Sequence, residues 1–215
     1  VVEKLPFYQR PFGFTYYNVA LYLIGANVLV FLAGMVSPSI LQRLALIPGA
    51  VIELGWFWTP FTYMFVHGGT WHLLFNMLGL FFFGFQLERR IGSNEFLLFY
   101  LLSGLLAGLL SFAVYVATGT FNVALVGASG AVFAVLLAFA TFFPTATILL
   151  FGIIPVRAPL LVLGYAALEL FNMVSRTGGN VAHMTHLIGF AVAFLYLVVR
   201  LRINPITVFR NSSRY

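Results

Sequence analysis

Six stretches of this chain, at about residues 15–36, 71–87, 96–117, 128–143, 147–174 and 182–201, are apolar over lengths that reach or approach the roughly 20 residues a helix needs to cross a bilayer. A chain with this pattern is too apolar to stay in water and too long to be a single anchor. Of its residues, 62% are hydrophobic and 7% charged, against roughly 45–50% and about 25% in a soluble domain. The expected fold is an all-α polytopic membrane protein. A core at 15–201 would lie between a short N-terminal tail at 1–14 and a basic C-terminal tail at 202–215. The first apolar run is span-length and lacks a small-residue cleavage site, so it is expected to be a span and not a removed leader. The fourth run is short, bounded by Gly127 and Pro144. A short helix among longer ones should begin below the membrane surface, with its first turn in a recess.

Loop charges orient this bundle. Lys4, Arg10, Arg89, Arg90, Arg157, Arg200, Arg202, Arg210 and Arg214 fall on one side, Arg43 and Arg176 on the other. The bias of basic residues toward cytoplasmic loops then puts both termini in the cytoplasm. The net charge of +6 is read as membrane orientation, and no nucleic-acid partner is expected. The loop 37–70 and the linkers 118–127 and 175–181 face outward. In the loop, Leu44, Ile47, Ile52, Trp56 and Trp58 are too apolar for a solvated connection, while Pro38, Pro48, Gly49 and Pro60 interrupt it too often for a span. It reads as an interfacial element half-buried in the outer leaflet, or as a surface loop with aromatic anchors.

Polar side chains at membrane depth are costly and usually functional. Ser129, in Gly127-Ala128-Ser129-Gly130, opens the fourth span, and His186 lies near the start of the sixth. Both spans enter from the outer side, so the hydroxyl and the imidazole are expected at similar depth. Gly130 with Ala134, and Gly189 with Ala193, give these two helices small-residue faces for close packing; Gly104 with Gly108 does the same for the third. Serine becomes an effective nucleophile when a base within hydrogen-bond reach takes its proton, and histidine has the proton affinity for that task. The chain contains no cysteine and no aspartate, its acids being Glu3, Glu53, Glu88, Glu95 and Glu169. A Ser-His-Asp triad is therefore excluded, and a Ser129–His186 dyad is the economical reading, with Phe133 supporting the ring. The oxyanion of a tetrahedral intermediate needs preorganised donors. The Ser129 N–H at a helix N-terminus can supply one, and His72 and Asn76, on one face of the second span, can supply side-chain N–H groups.

The remaining polar residues have plainer readings. His183, one turn before His186, competes for the role of base and otherwise reads as water-facing or interfacial. His67 reads as a loop-bracing hydrogen-bond donor. His67, His72, His183 and His186 could be combined into a zinc site, but no acidic ligand is evident beside them and no HExxH motif occurs, so neither metal nor cofactor is expected. Glu169, in the outer half of the fifth span, reads as a structural hydrogen bond to a neighbouring helix, with proton relay or substrate contact as the alternative. Glu88, Arg89 and Arg90 fit a helix-end ion-pair network.

Taken together, these residues resemble the rhomboid family of intramembrane serine proteases. The resemblance rests on His72-Leu73-Leu74-Phe75-Asn76, Glu88-Arg89-Arg90-Ile91-Gly92-Ser93, Gly127-Ala128-Ser129-Gly130 and His186-Leu187-Ile188-Gly189, in family order and span positions, over essentially the whole chain. It departs at Trp58-Thr59, where many members have Trp-Arg, and at Gly189 with Ala193 in place of two glycines. It implies a six-transmembrane-helix rhomboid-like bundle with a membrane-embedded first loop, gated by the fifth helix and the loop after it. It also implies Ser129 as nucleophile, His186 as general base, and His72, Asn76 and the Ser129 amide as the oxyanion site. The expected activity is that of a cofactor-free serine endopeptidase cleaving transmembrane segments of single-pass membrane proteins near their extracytoplasmic end. The expected setting is a prokaryotic cell membrane, with the active site opening outward. The alternative is a catalytically inert rhomboid-like protein that binds transmembrane helices.

Overall fold

The computed structural model describes residues 6–10, 12–150, 152–175 and 180–212, the side chains of 180–182 excepted. Helix α1 (Val19–Val36) follows Asn18, which is left-handed at φ 59°. Its first N–H groups lack intrahelical partners by position. The buried Glu88 carboxylate supplies them, accepting from Val19 N at 2.7 Å and Ala20 N at 2.9 Å. Ser93 donates to the same carboxylate at 2.5 Å. Glu88 is thus a helix cap and not the centre of an ion-pair network as its neighbours suggested. Arg89 turns instead to the Tyr16 hydroxyl, 3.1 Å away, and Arg90 lies over the Phe142 ring.

The connection 37–70 is largely helical. Proline, whose fixed φ suits a helix start, opens both α2 (Pro38–Leu44) and α3 (Pro48–Leu54), and Gly55 closes α3 at φ 70°. Further turns at Thr59–Thr62 and Tyr63–Phe65 lead to α4 (Thr70–Ile91), which carries a π-helical turn at Leu80–Gly84. Leu46, Tyr63, Met64 and Val66 are buried. Gly104 and Gly108, on α5 (Ser93–Ala117), receive this connection: added Cβ atoms would stand 2.3 Å from Met64 and 2.5 Å from the Pro60 carbonyl. The small-residue face of that helix is therefore used by the connecting segment. Trp58 donates to the Arg43 carbonyl at 2.8 Å, so this indole is tied to the end of α2.

Helix α6 (Ser129–Phe142) has 14 residues, about 21 Å of helix against about 30 Å of hydrocarbon. It is the most interior helix, buried along Gly130, Ala131 and the run from Ala134 to Thr141. The chain then forms a small antiparallel hairpin, β1 (Thr147–Leu150) with β2 (Ile154–Arg157), before α7 (Ala158–Ser175). Two expectations need correcting here. The protein is mostly but not wholly helical, and the fifth apolar run is a hairpin followed by an 18-residue helix, not a helix from 147. Pro155 has no N–H to donate and disfavours helix at the residue before it. Gly152 supplies the turn at φ 74°. Helix α8 (Asn180–Val199) and a short α9 (Pro205–Ser212) complete the described chain.

Among the described residues four helices, α1, α4, α5 and α7, are long and apolar enough to cross a membrane; α6 and the segment His183–Val199 of α8 are shorter and apolar. The basic residues gather with the chain's ends. Arg200 pairs with Glu95 at 2.8 Å and donates to the Tyr8 carbonyl at 2.9 Å, while Arg157 reaches the Ser212 carbonyl at 3.4 Å. Lys4, Arg176 and Arg214, used above for orientation, and the rest of 176–179 lie outside the described residues.

Candidate active site

Helices α6 and α8 cross at two glycines. A Cβ on Gly189 would lie 2.1 Å from the Gly130 carbonyl oxygen, so the backbones meet there with no side chain between them. Close approach of this kind requires small residues. It brings His186 Nε2 to 2.7 Å from Ser129 Oγ, within hydrogen-bond reach. Phe133, one turn along α6, stacks on the imidazole with ring centroids 4.2 Å apart and planes 10° from parallel, as the sequence suggested.

Ser129 begins α6, so its N–H and those of the next residues project without intrahelical acceptors at the positive end of the helix dipole. Gly127 prepares this turn. Its φ of +118° is accessible to glycine, and a Cβ there would lie 2.7 Å from both Cε1 and Nε2 of His72. The edge of the His72 ring therefore overlies the turn that presents Ser129. Gly68 N–H points at His72 Nδ1 over a long 3.5 Å, which favours a proton on Nε2, the nitrogen facing the turn. Asn76 is buried, and its amide nitrogen donates to the His72 carbonyl at 2.9 Å. One of its two N–H bonds is thereby committed within the helix and one is left over.

His67 is 1% exposed, and its Nε2 accepts from Ala128 N–H at 3.5 Å, so it also braces the serine turn as an acceptor. Burial, with the His72 ring centred 5.1 Å away, pushes its imidazole down to about 4, which keeps it neutral and able to accept.

Glu169 makes the hydrogen bond to a neighbouring helix that the sequence suggested, and its partner there is His183. Glu169, on α7, is buried. Its Oε2 lies 2.5 Å from His183 Nδ1 and its Oε1 lies 3.0 Å from His186 Nδ1. The His186 contact is at ion-pair distance but off the hydrogen-bond line, for Nδ1 is buried without an aligned partner. His183 is not water-facing, since its side chain is 16% exposed and turned to the carboxylate. Among the described residues the histidines and acids close enough to share a cation are Glu169, His183 and His186, with ligand atoms within 4.8 Å of one another, and not the four histidines considered above. An acid does stand beside these histidines, supplied by a different helix. The matching depth of 169, 183 and 186 was the available sequence signal.

The family model described as a Rhomboid domain matches residues 54–203. Among similar proteins, the Rhomboid protease GluP of Bacillus subtilis (strain 168) is 32% identical over 120 residues, covering 56% of this chain and 22% of the relative. The Putative rhomboid protease YdcA of the same bacterium is 40% identical over 79 residues, covering 37% of this chain and 38% of the relative. RHOMBOID-like protein 12, mitochondrial, of Arabidopsis thaliana is 32% identical over 191 residues, covering 82% of this chain and 56% of the relative. The matched stretch thus spans between about a fifth and about half the length of these relatives.

Proposed function

This chain belongs to the rhomboid family, and from that membership and the serine–histidine geometry we propose that it is an intramembrane serine endopeptidase. The observation that carries the reading is the 2.7 Å contact between Ser129 Oγ and His186 Nε2. In this mechanism Ser129 Oγ attacks the scissile carbonyl carbon while Nε2 takes its proton. The carbonyl oxygen becomes an oxyanion held by the Ser129 N–H, His72 Nε2–H and the second N–H of Asn76. The imidazolium then protonates the leaving amine, the C–N bond breaks, and a water activated by the same nitrogen hydrolyses the acyl-enzyme.

The substrates on this reading are single-pass transmembrane proteins, cut near their extracytoplasmic end. Six helices, α1 and α4 through α8, would then lie in the bilayer, with 37–70 embedded in the outer leaflet. The shortness of α6 supports a recessed site, because its first turn begins inside the bundle and not at the surface. The contacts of Arg89, Arg157 and Arg200 with the chain's N- and C-terminal segments support cytoplasmic termini.

The test is cleavage of a model transmembrane substrate by purified protein in liposomes, beside Ser129→Ala and His186→Ala. Each single variant should abolish cleavage, and the double variant should be no worse, since such residues act as one unit. Substrate-helix binding without cleavage by the unaltered protein would favour the inert, helix-binding alternative.

A further inference from the structure

We propose, on the serine-protease reading above, that Glu169 is a positioning residue for His186 and that His183 in turn holds Glu169. The catalytic unit then runs Ser129–His186–Glu169, with the carboxylate arriving from α7.

The two nitrogens of His186 face different partners. Nε2 is at 2.7 Å from the serine oxygen and Nδ1 at 3.0 Å from Glu169 Oε1. For Nε2 to accept the serine proton, the ring proton must sit on Nδ1, and an acceptor there selects that tautomer and steadies the imidazolium formed during attack. Phe133 stacks on the ring face. A face contact fixes the plane of an imidazole but does not choose between its nitrogens. Nδ1 is buried with no other aligned acceptor among the described residues, and catalytic hydrogen bonds that are poorly aligned without substrate commonly tighten when it binds.

Glu169 itself needs support, for a carboxylate in an apolar helix is costly unless its oxygens are partnered. The second oxygen, Oε2, has that partner in His183 Nδ1 at 2.5 Å. A pair at this distance shares a proton, which holds the carboxylate in place for its contact with His186.

The experiment uses the full chain in liposomes and measures kcat, KM, the rate at which a fluorophosphonate labels Ser129, and thermal melting. Glu169→Gln should lower both kcat and the labelling rate at least about tenfold, with KM changed less than about twofold. Glu169→Asp, which keeps the charge, should recover part of that loss. His183→Ala should lose activity to a smaller extent and add little on the Glu169→Gln background, because it acts through the carboxylate. Should Glu169→Gln fail to fold, Glu169→Asp and His183→Ala carry the comparison.

Undiminished kcat in a well-folded Glu169→Gln overturns the proposal. So does an equal loss in the Asp and Gln variants that follows a lowered melting temperature, which is the mark of a merely structural acid. Stoichiometric Zn²⁺ binding by the unaltered protein, lost in Glu169→Gln, would assign the cluster to a metal. If the unaltered protein neither cleaves substrate nor labels at Ser129, the protease reading itself falls, an outcome distinct from failure of Glu169 alone.

Discussion

Gly189 and Gly130 are in backbone contact: a methyl group on Gly189 would stand 2.1 Å from the Gly130 carbonyl oxygen. The same crossing sets the Ser129–His186 distance, three residues along from Gly189. Gly189→Ala should therefore do two things at once. Overpacking costs about 1–3 kcal/mol, so the melting temperature should fall. Pushing α8 away from α6 should also cost about 10²-fold in kcat, the usual consequence of a displacement near 1 Å. Gly164→Ala on α7 is the control, since a Cβ there meets nothing within 4 Å; it should leave kcat unchanged and melt no lower. Full activity in Gly189→Ala would mean that the crossing does not set the site.

How much of this arrangement was legible in the sequence depends on what each feature requires. Long apolar runs located α1, α4, α5, α6 and α8 to within a few residues, because burial in lipid demands length and hydrophobicity and little else. The fifth run was overextended at its start, since hydropathy does not distinguish the strands Thr147–Leu150 and Ile154–Arg157 from helix. Pro155 and Gly152 were the signals available. Ser129, His186 and Phe133 were readable from spacing along their own helices and from the small residues beside them. Glu169 was readable as hydrogen-bonded to a neighbouring helix, but its histidine partners were not, because matching depth leaves open how each helix is rotated about its axis. The accepting role of His67 was hidden for a different reason: whether an imidazole donates or accepts is decided by the group it meets.

The oxyanion reading predicts separate kinetic signatures for two donors. Asn76→Ala should lower kcat about 10²-fold or more with little change in apparent substrate binding, because the charge it meets develops only in the transition state. His72→Ala should lower kcat by a similar factor and also loosen the serine turn, against which its ring is packed. Steady-state kinetics on a membrane-embedded substrate, with melting curves for folding, check both. Unchanged kcat in both folded variants would leave only backbone donors in the mechanism.

Phe133 should matter through the flatness of its contact with His186. Stacked aromatic pairs contribute about 0.5–1.5 kcal/mol beyond area burial, so Phe133→Leu should reduce kcat by up to about tenfold. Phe133→Tyr keeps the ring and should retain most activity. Equal, large losses in both variants would show that shape around the ring, and not stacking, is what the position supplies.

His67 gives a pH dependence of stability whose sign follows from its environment. Buried against the serine turn, its imidazole is pushed down to about 4 in the folded protein, whereas an unfolded histidine titrates near 6.5. Between these values the unfolded chain binds a proton that the folded one does not, so unfolding becomes easier as the pH falls. Stability from this residue is fully present above about pH 6.5 and is lost progressively down to about pH 4, to an extent of about 3 kcal/mol. His67→Gln removes the titration while keeping a side-chain acceptor for Ala128 N–H. Melting temperature measured across this range should therefore fall less steeply with acid in His67→Gln than in the unaltered protein, even if the variant melts lower near neutrality. Parallel melting profiles would show that another group carries the acid sensitivity and that His67 is protonated in the fold.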